Sequence, residues 1–197
     1  LVPKLGIFFD LSGQKILSIE KNCRATKGTP VFTEKGQYTT RGWTEWTQGF
    51  QFGSAVLQYD ATGDERFLKI GRRGTVKHMA AHVSHIGVHD HGFNNVSTYG
   101  NLRRLALEGR IEAADTELDY WELALQVSGA VQAARWTETT DGGGFIYSFN
   151  GPHSLFADTI RSLRSLALSH ALGHFLYEEQ DEEVVLLDRL IAHADAT

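Results

Sequence analysis

Two acidic residues and several aromatic side chains fall on three short segments of the 197-residue chain: Trp46-Thr47-Gln48-Gly49-Phe50, His89-Asp90-His91-Gly92-Phe93 and Ser154-Leu155-Phe156-Ala157-Asp158. Paired carboxylates deliver and remove protons in the cleavage of sugars, and aromatic faces stack on the apolar face of a sugar ring. Asp90 and Asp158 are therefore candidate catalytic acids. Trp46 and Phe50 are candidate substrate platforms, and His89 is a candidate binding group beside one of the acids. The combination points to carbohydrate chemistry.

Each residue also has a plainer use. Asp90 sits between two histidines, with Gly87 and Gly92 placing it on a turn, where an Asp commonly caps the next helix. Asp158 falls early in a helical pattern beginning near Ser154, with Ser162, Ser165 and Ser169 on its face. That polar stripe either meets solvent or lines a cavity. In a cavity, desolvation raises a carboxyl pKa, as a general acid requires, whereas at the surface Asp158 pairs with Arg161 at i+3. His78, His82, His85 and His89 would share one face of an unbroken helix and suggest a metal, but Gly87 interrupts that helix and no carboxylate completes the set, so no metal and no cofactor is assigned. Trp43 and Phe52 suit a helix-start core as well as a sugar platform, while Trp121 and Trp136 read as core. Arg103, Arg104, Arg161 and Arg164 suit either a carboxylated substrate or a solvated helix face.

The elements that must position these groups are helical. Apolar residues recur at helical spacing from Leu5 to Ile19, Phe52 to Tyr59, Phe67 to Ile70, Leu118 to Val131, Ile160 to Ala171 and Val184 to Ile191, predicting six or seven helices and an all-α fold. The alternating run Phe145-Ile146-Tyr147-Ser148-Phe149 and the stretch around Val31 and Phe32 are the strand-like segments, read as loop excursions. Asp181 is the expected N-cap of the last helix. Residues 1–197 read as a single helical domain.

Composition narrows the partners. With 19 basic against 24 acidic residues and a net charge of -5, the chain lacks the positive footprint that attracts nucleic acid or an anionic membrane. No apolar run approaches the roughly 20 residues that span a bilayer. Cys23 is the sole cysteine, so no internal disulfide forms. The chain opens with Leu1 rather than Met, which leaves room for a leader and leaves localisation open between bacterial cytoplasm and periplasm.

Taken together, the motifs resemble the unsaturated glucuronyl hydrolases and the related unsaturated rhamnogalacturonyl hydrolases, bacterial six-hairpin glycosidases that degrade lyase products. The resemblance rests on Trp46-Thr47-Gln48-Gly49-Phe50 before a helix ending Tyr59-Asp60-Ala61-Thr62-Gly63-Asp64, on His89-Asp90-His91-Gly92-Phe93, and on Asp158 opening a Leu- and Ala-rich helix that ends Leu172-Gly173-His174. Gln51-Phe52 and His91 depart from the usual family residues.

The resemblance implies an (α/α)6 barrel, of which this chain is about the N-terminal half. It implies Asp158 as general acid and base, Asp90 as the second essential carboxylate, and Trp46, Phe50 and His89 as pocket lining. The substrate implied is an acidic oligosaccharide ending in a 4,5-unsaturated uronic acid, cleaved by hydration of its vinyl ether. Half a barrel belongs either to a longer protein or to an incomplete ring, and in the second case exposed apolar flanks predict a homo-oligomer or aggregation. Two other readings remain: another (α/α)-barrel enzyme, such as a polysaccharide lyase or sugar epimerase, and a non-catalytic helical sugar-binding module.

Overall fold

The structure is a computed structural model that describes residues 2–23, 28–41 and 46–197; Trp43 lies outside the described residues. In chain order it contains α1 (Val2–Asn22), a hairpin of β1 (Thr29–Glu34) and β2 (Gln37–Arg41), α2 (Thr47–Thr62), α3 (Glu65–His78) and the short α4 (Ala80–Val83). A π-helical segment, Gly92–Gly100, runs into α5 (Asn101–Leu107) and is followed by α6 (Asp115–Ala133). A second hairpin, β3 (Trp136–Glu138) with β4 (Gly144–Ile146), leads to α7 (Thr159–Ser162) and α8 (Arg164–Ala171). The ribbon of β5 (Leu176–Tyr177) and β6 (Glu183–Val184) precedes α9 (Leu186–Ala196).

Local chemistry sets the turn between α2 and α3. Gly63 leaves α2 in the left-handed region at φ 71°, and Asp64 then caps α3 by accepting the Arg66 N–H at 3.0 Å. The main core gathers Phe52 and Val56 of α2, Met79, Tyr99 of the π-helical segment, Leu102 and Leu105 of α5, and Trp121 and Leu125 of α6. A second cluster joins Ala133, Ile146, Leu163, Leu166 and Leu186, which ties α6, α8 and α9 to the β4 strand. Trp121 is core, as its spacing implies; Phe52 is core rather than a sugar platform.

Three expectations are corrected. The strand-like segments are antiparallel strands, not loop excursions: Phe32 pairs with Thr39, and Ile146 pairs with Trp136, which follows the end of α6 and packs against the second cluster. The helix expected from Ser154 begins at Thr159 and restarts at Arg164, because the chain before it is held in a loop where the Ser148 N–H donates to the Ser154 carbonyl at 3.0 Å. Asp181 lies in a separate short turn, and α9 starts from Val185.

The serine stripe meets neither solvent nor a cavity. Ser162, Ser165 and Ser169 are buried and face α6 and the start of the π-helical segment: Ser165 donates to Gln132 Oε1, and Ser169 donates to the Gln126 carbonyl at 2.9 Å. Small hydroxyl side chains allow the two helices to approach closely while satisfying backbone groups that would otherwise be buried unpaired. Among the described residues, no helix is long and apolar enough to cross a membrane.

Candidate active site

The three segments singled out by sequence converge. Trp46 and Phe50 at the start of α2, His89, Asp90 and Phe93 around the start of the π-helical segment, and Asp158 before α7 line one cleft of about 570 Å³. Val88, Phe149, Phe156 and Arg161 complete its wall.

The segment 84–91 is fixed by its backbone. The His89 carbonyl accepts from Gln132 Nε2 at 2.6 Å and from the Ser162 hydroxyl, and the Gly92 N–H donates to Ser162 Oγ at 2.9 Å. Gly92 is required here, because a Cβ would overlap the Ser162 carbonyl. Gly49 serves the same end in α2: a Cβ would collide with the Asn94 backbone, and its N–H donates to Asn94 Oδ1 at 2.9 Å.

His89 joins the two acids. Its Nε2 lies 3.2 Å from Asp158 Oδ1 and 3.7 Å from Asp90 Oδ1, so an N–H on that nitrogen faces both carboxylates. The ring stacks on Phe149 at 5.8 Å and meets the edge or face of Phe156 at 6.0 Å, which fixes its plane. Neither acid serves as a side-chain helix cap. Asp90 is nearly buried, with its side chain 9% exposed; burial pushes the nearby Arg135 guanidinium below its ordinary value, with the charges of Tyr147 and Asp90 opposing that shift, and Asp158 is open to the cleft at 29%. Asp158 also has the i+3 neighbour expected from sequence, with Arg161 Nη2 at 3.6 Å from Oδ2.

On the opposite wall Trp46, Phe50 and Phe93 form a triangle with centroid separations of 5.6, 6.1 and 5.8 Å. Trp46 and Phe50 remain partly exposed, so they present face and edge to the cleft instead of filling the core.

Behind the acids lies a buried polar chain. Asn95 Nδ2 donates to Ser128 Oγ at 2.8 Å, Ser128 is 2.9 Å from His91 Nδ1, and His91 Nε2 is 3.0 Å from the His85 carbonyl. A carbonyl only accepts, so His91 carries its proton on Nε2 and takes the Ser128 hydroxyl proton on Nδ1. Burial holds the imidazole neutral and pushes its pKa down to about 3, the bond to His85 opposing the shift. Desolvation also lowers His85, with the Arg135 charge adding to it, and lowers His193.

Arg135, 3% exposed, donates to the carbonyls of Ile86, Tyr147 (3.1 Å) and Ser148 (2.7 Å). It thereby joins the segment carrying Asp90 to the loop carrying Phe149. The four histidines at helical spacing do not share a face: His78 ends α3, His82 lies in α4 with Nε2 at 2.7 Å from Gln48 Oε1, and His85 and His89 fall beyond it. Among the described residues no group of three or more His, Cys, Asp or Glu side chains is placed to hold a metal.

Sequence reasoning missed Phe149 and Phe93 as lining, and Gln132, Ser162 and Arg135 as positioning groups; it left Arg161 open between a carboxylated substrate and a solvated helix face, and the structure puts it on the cleft wall. Phe93 and Phe156 stood inside the quoted motifs, but only the fold reveals that their rings turn inward.

No protein-family model and no curated protein matches the chain. Among solved structures, it is similar to an unsaturated glucuronyl hydrolase specific for heparin, with a TM-score of 0.71 and 18% identity over 96% of this chain and 46% of that one. It is also similar to an unsaturated glucuronyl hydrolase from Streptococcus agalactiae, with a TM-score of 0.64 and 18% identity over 96% of this chain and 45% of that one. The chain thus spans less than half the length of both neighbours. Its helical architecture is that of half an (α/α)6 barrel, the six-hairpin fold of the unsaturated glucuronyl hydrolases.

Proposed function

We propose that this chain carries the acid/base side of a glycoside hydrolase acting on a 4,5-unsaturated uronic acid at the non-reducing end of an oligosaccharide. The observation that carries the reading is the placement of Asp90 and Asp158 around one imidazole nitrogen in a cleft walled by aromatic rings. Similarity of fold to two unsaturated glucuronyl hydrolases supports the same chemistry.

In this mechanism Asp158, the acid open to the cleft, protonates carbon 4 of the vinyl ether. Electron density moves from the double bond to the new C–H bond, and the positive charge at carbon 5 is shared with the ring oxygen. Asp158, now a carboxylate, takes a proton from water as the water oxygen bonds to carbon 5. The resulting hemiketal opens and the neighbouring sugar leaves. Asp90 supplies fixed negative charge opposite the developing cation, while His89 aligns both carboxylates. Trp46 and Phe50 stack on the sugar.

The test is loss of the ultraviolet absorbance of the conjugated double bond on unsaturated uronyl disaccharides, with wild type and Asp158→Asn side by side. Removal of a general acid/base is expected to slow turnover about 10²- to 10⁴-fold while binding changes only a few-fold. A run in D₂O should place deuterium at carbon 4. Gain of absorbance on an intact, saturated uronate polysaccharide would identify a lyase, and binding of the unsaturated disaccharides without any change in absorbance by the wild type would identify a binding module.

A further inference from the structure

We propose that Arg161 is the anion-recognition arm of this cleft, reading a negative group on the sugar; the inference rests on the hydrolase reading above. A uronate entering this site brings a carboxylate towards two acidic side chains, and a fixed cation is needed to offset that repulsion. Four arginines were open to this task from sequence, and the structure separates them. Arg103 donates to Glu122 at 2.7 Å, and Arg104 donates to Asp60 at 2.7 Å and to Glu108 at 2.9 Å, all outside the cleft. Arg164 spends Nη2 on the Gly92 carbonyl at 3.1 Å. Arg161 alone of the four lines the cleft.

Its geometry suits a ligand. The guanidinium carbon stands 5.4 Å from the Phe93 ring centroid, so the aromatic face supports one side of the planar fork. Its approach to Asp158 is a loose 3.6 Å, and the side chain stays 68% exposed. Among the described residues no hydrogen bond from this guanidinium appears within ordinary donor-acceptor geometry, leaving its N–H fork for a bidentate oxyanion. Two sources carry that chemistry: the uronate carboxylate itself, or a sulfate ester on the adjoining sugar.

The experiment is calorimetric titration of the chain with its wild-type Arg161, of Arg161→Gln and of Arg161→Lys, all three carrying Asp158→Asn so that no probe is hydrated during the titration, with three probes: an unsulfated unsaturated uronyl disaccharide, its methyl ester, and the same disaccharide sulfated on the second sugar. Binding is the readout because Arg161 neighbours Asp158, and a rate change alone would mix recognition with catalysis. The chain with Arg161 is expected to bind the free acid about tenfold more tightly than the ester, Arg161→Gln to lose that ratio, and Arg161→Lys to recover part of it. A loss confined to the sulfated probe identifies sulfate as the group read by the arm. If Arg161→Gln binds all three probes within twofold of the chain with Arg161, the arm is overturned while the hydrolase reading stands. If the chain with Arg161 binds none of them, both fall.

Discussion

At the scale of single residues, the site depends on imidazoles that differ in their surroundings. His89 is placed between two carboxylates, whereas His91, its neighbour but one, is sealed into a neutral chain with Ser128 and the His85 carbonyl. Burial lowers the His91 pKa from 6.5 to about 3, so between those values the unfolded chain binds a proton that the folded chain refuses. Stability is therefore complete above pH 6.5 and falls on acidification, by up to about 1.4 kcal/mol per pH unit from this group. Urea unfolding between pH 6.5 and 4.5 should show that slope in wild type and a shallower one in His91→Gln, with His85 and His193 keeping part of it in the same direction. An unchanged slope in the variant would place His91 in a solvated state.

At the scale of elements, the start of the π-helical segment carries the acid loop, and its close contact with α7 is what aligns Asp90 with Asp158. Gly92→Ala inserts a methyl group into the Ser162 carbonyl, an overpacking that costs about 1–3 kcal/mol and pushes the two acids apart. Thermal unfolding and disaccharide hydration should both decline, whereas Gly6→Ala, with open space around its Cβ, should leave both intact. Sequence made the acid-bearing motifs legible because a carboxylate beside glycine and aromatic residues is a local signal. Helical periodicity likewise exposed the core positions of α2 and α6. It could not show that His89 meets Asp158 across 69 positions, nor that Phe149 turns towards His89, since those contacts depend on how α6 and α8 bring separate loops together. The β3–β4 hairpin is illegible in sequence for a related reason: a three-residue strand gains its stability from a partner and a core beneath it, not from its own alternation.

At the scale of the whole molecule, the first helix carries apolar side chains on its surface. Val2, Leu5, Ile7, Phe8 and Leu11 of α1 are all exposed, a run of apolar side chains on the first turns of one helix interrupted by Lys4 and Asp10. We expect copies of this chain to associate through that run. Light scattering over a range of concentrations should show a rising mean mass, and Leu5→Glu with Phe8→Glu should abolish the rise; a monomer throughout would refute the association. The candidate site is held by a different kind of contact. One buried guanidinium, that of Arg135, grips both the segment leading to Asp90 and the loop bearing Phe149. A force that lifts either segment must break a charge-assisted bond to the other, so the acid floor and the aromatic wall yield together, as a single mechanical piece.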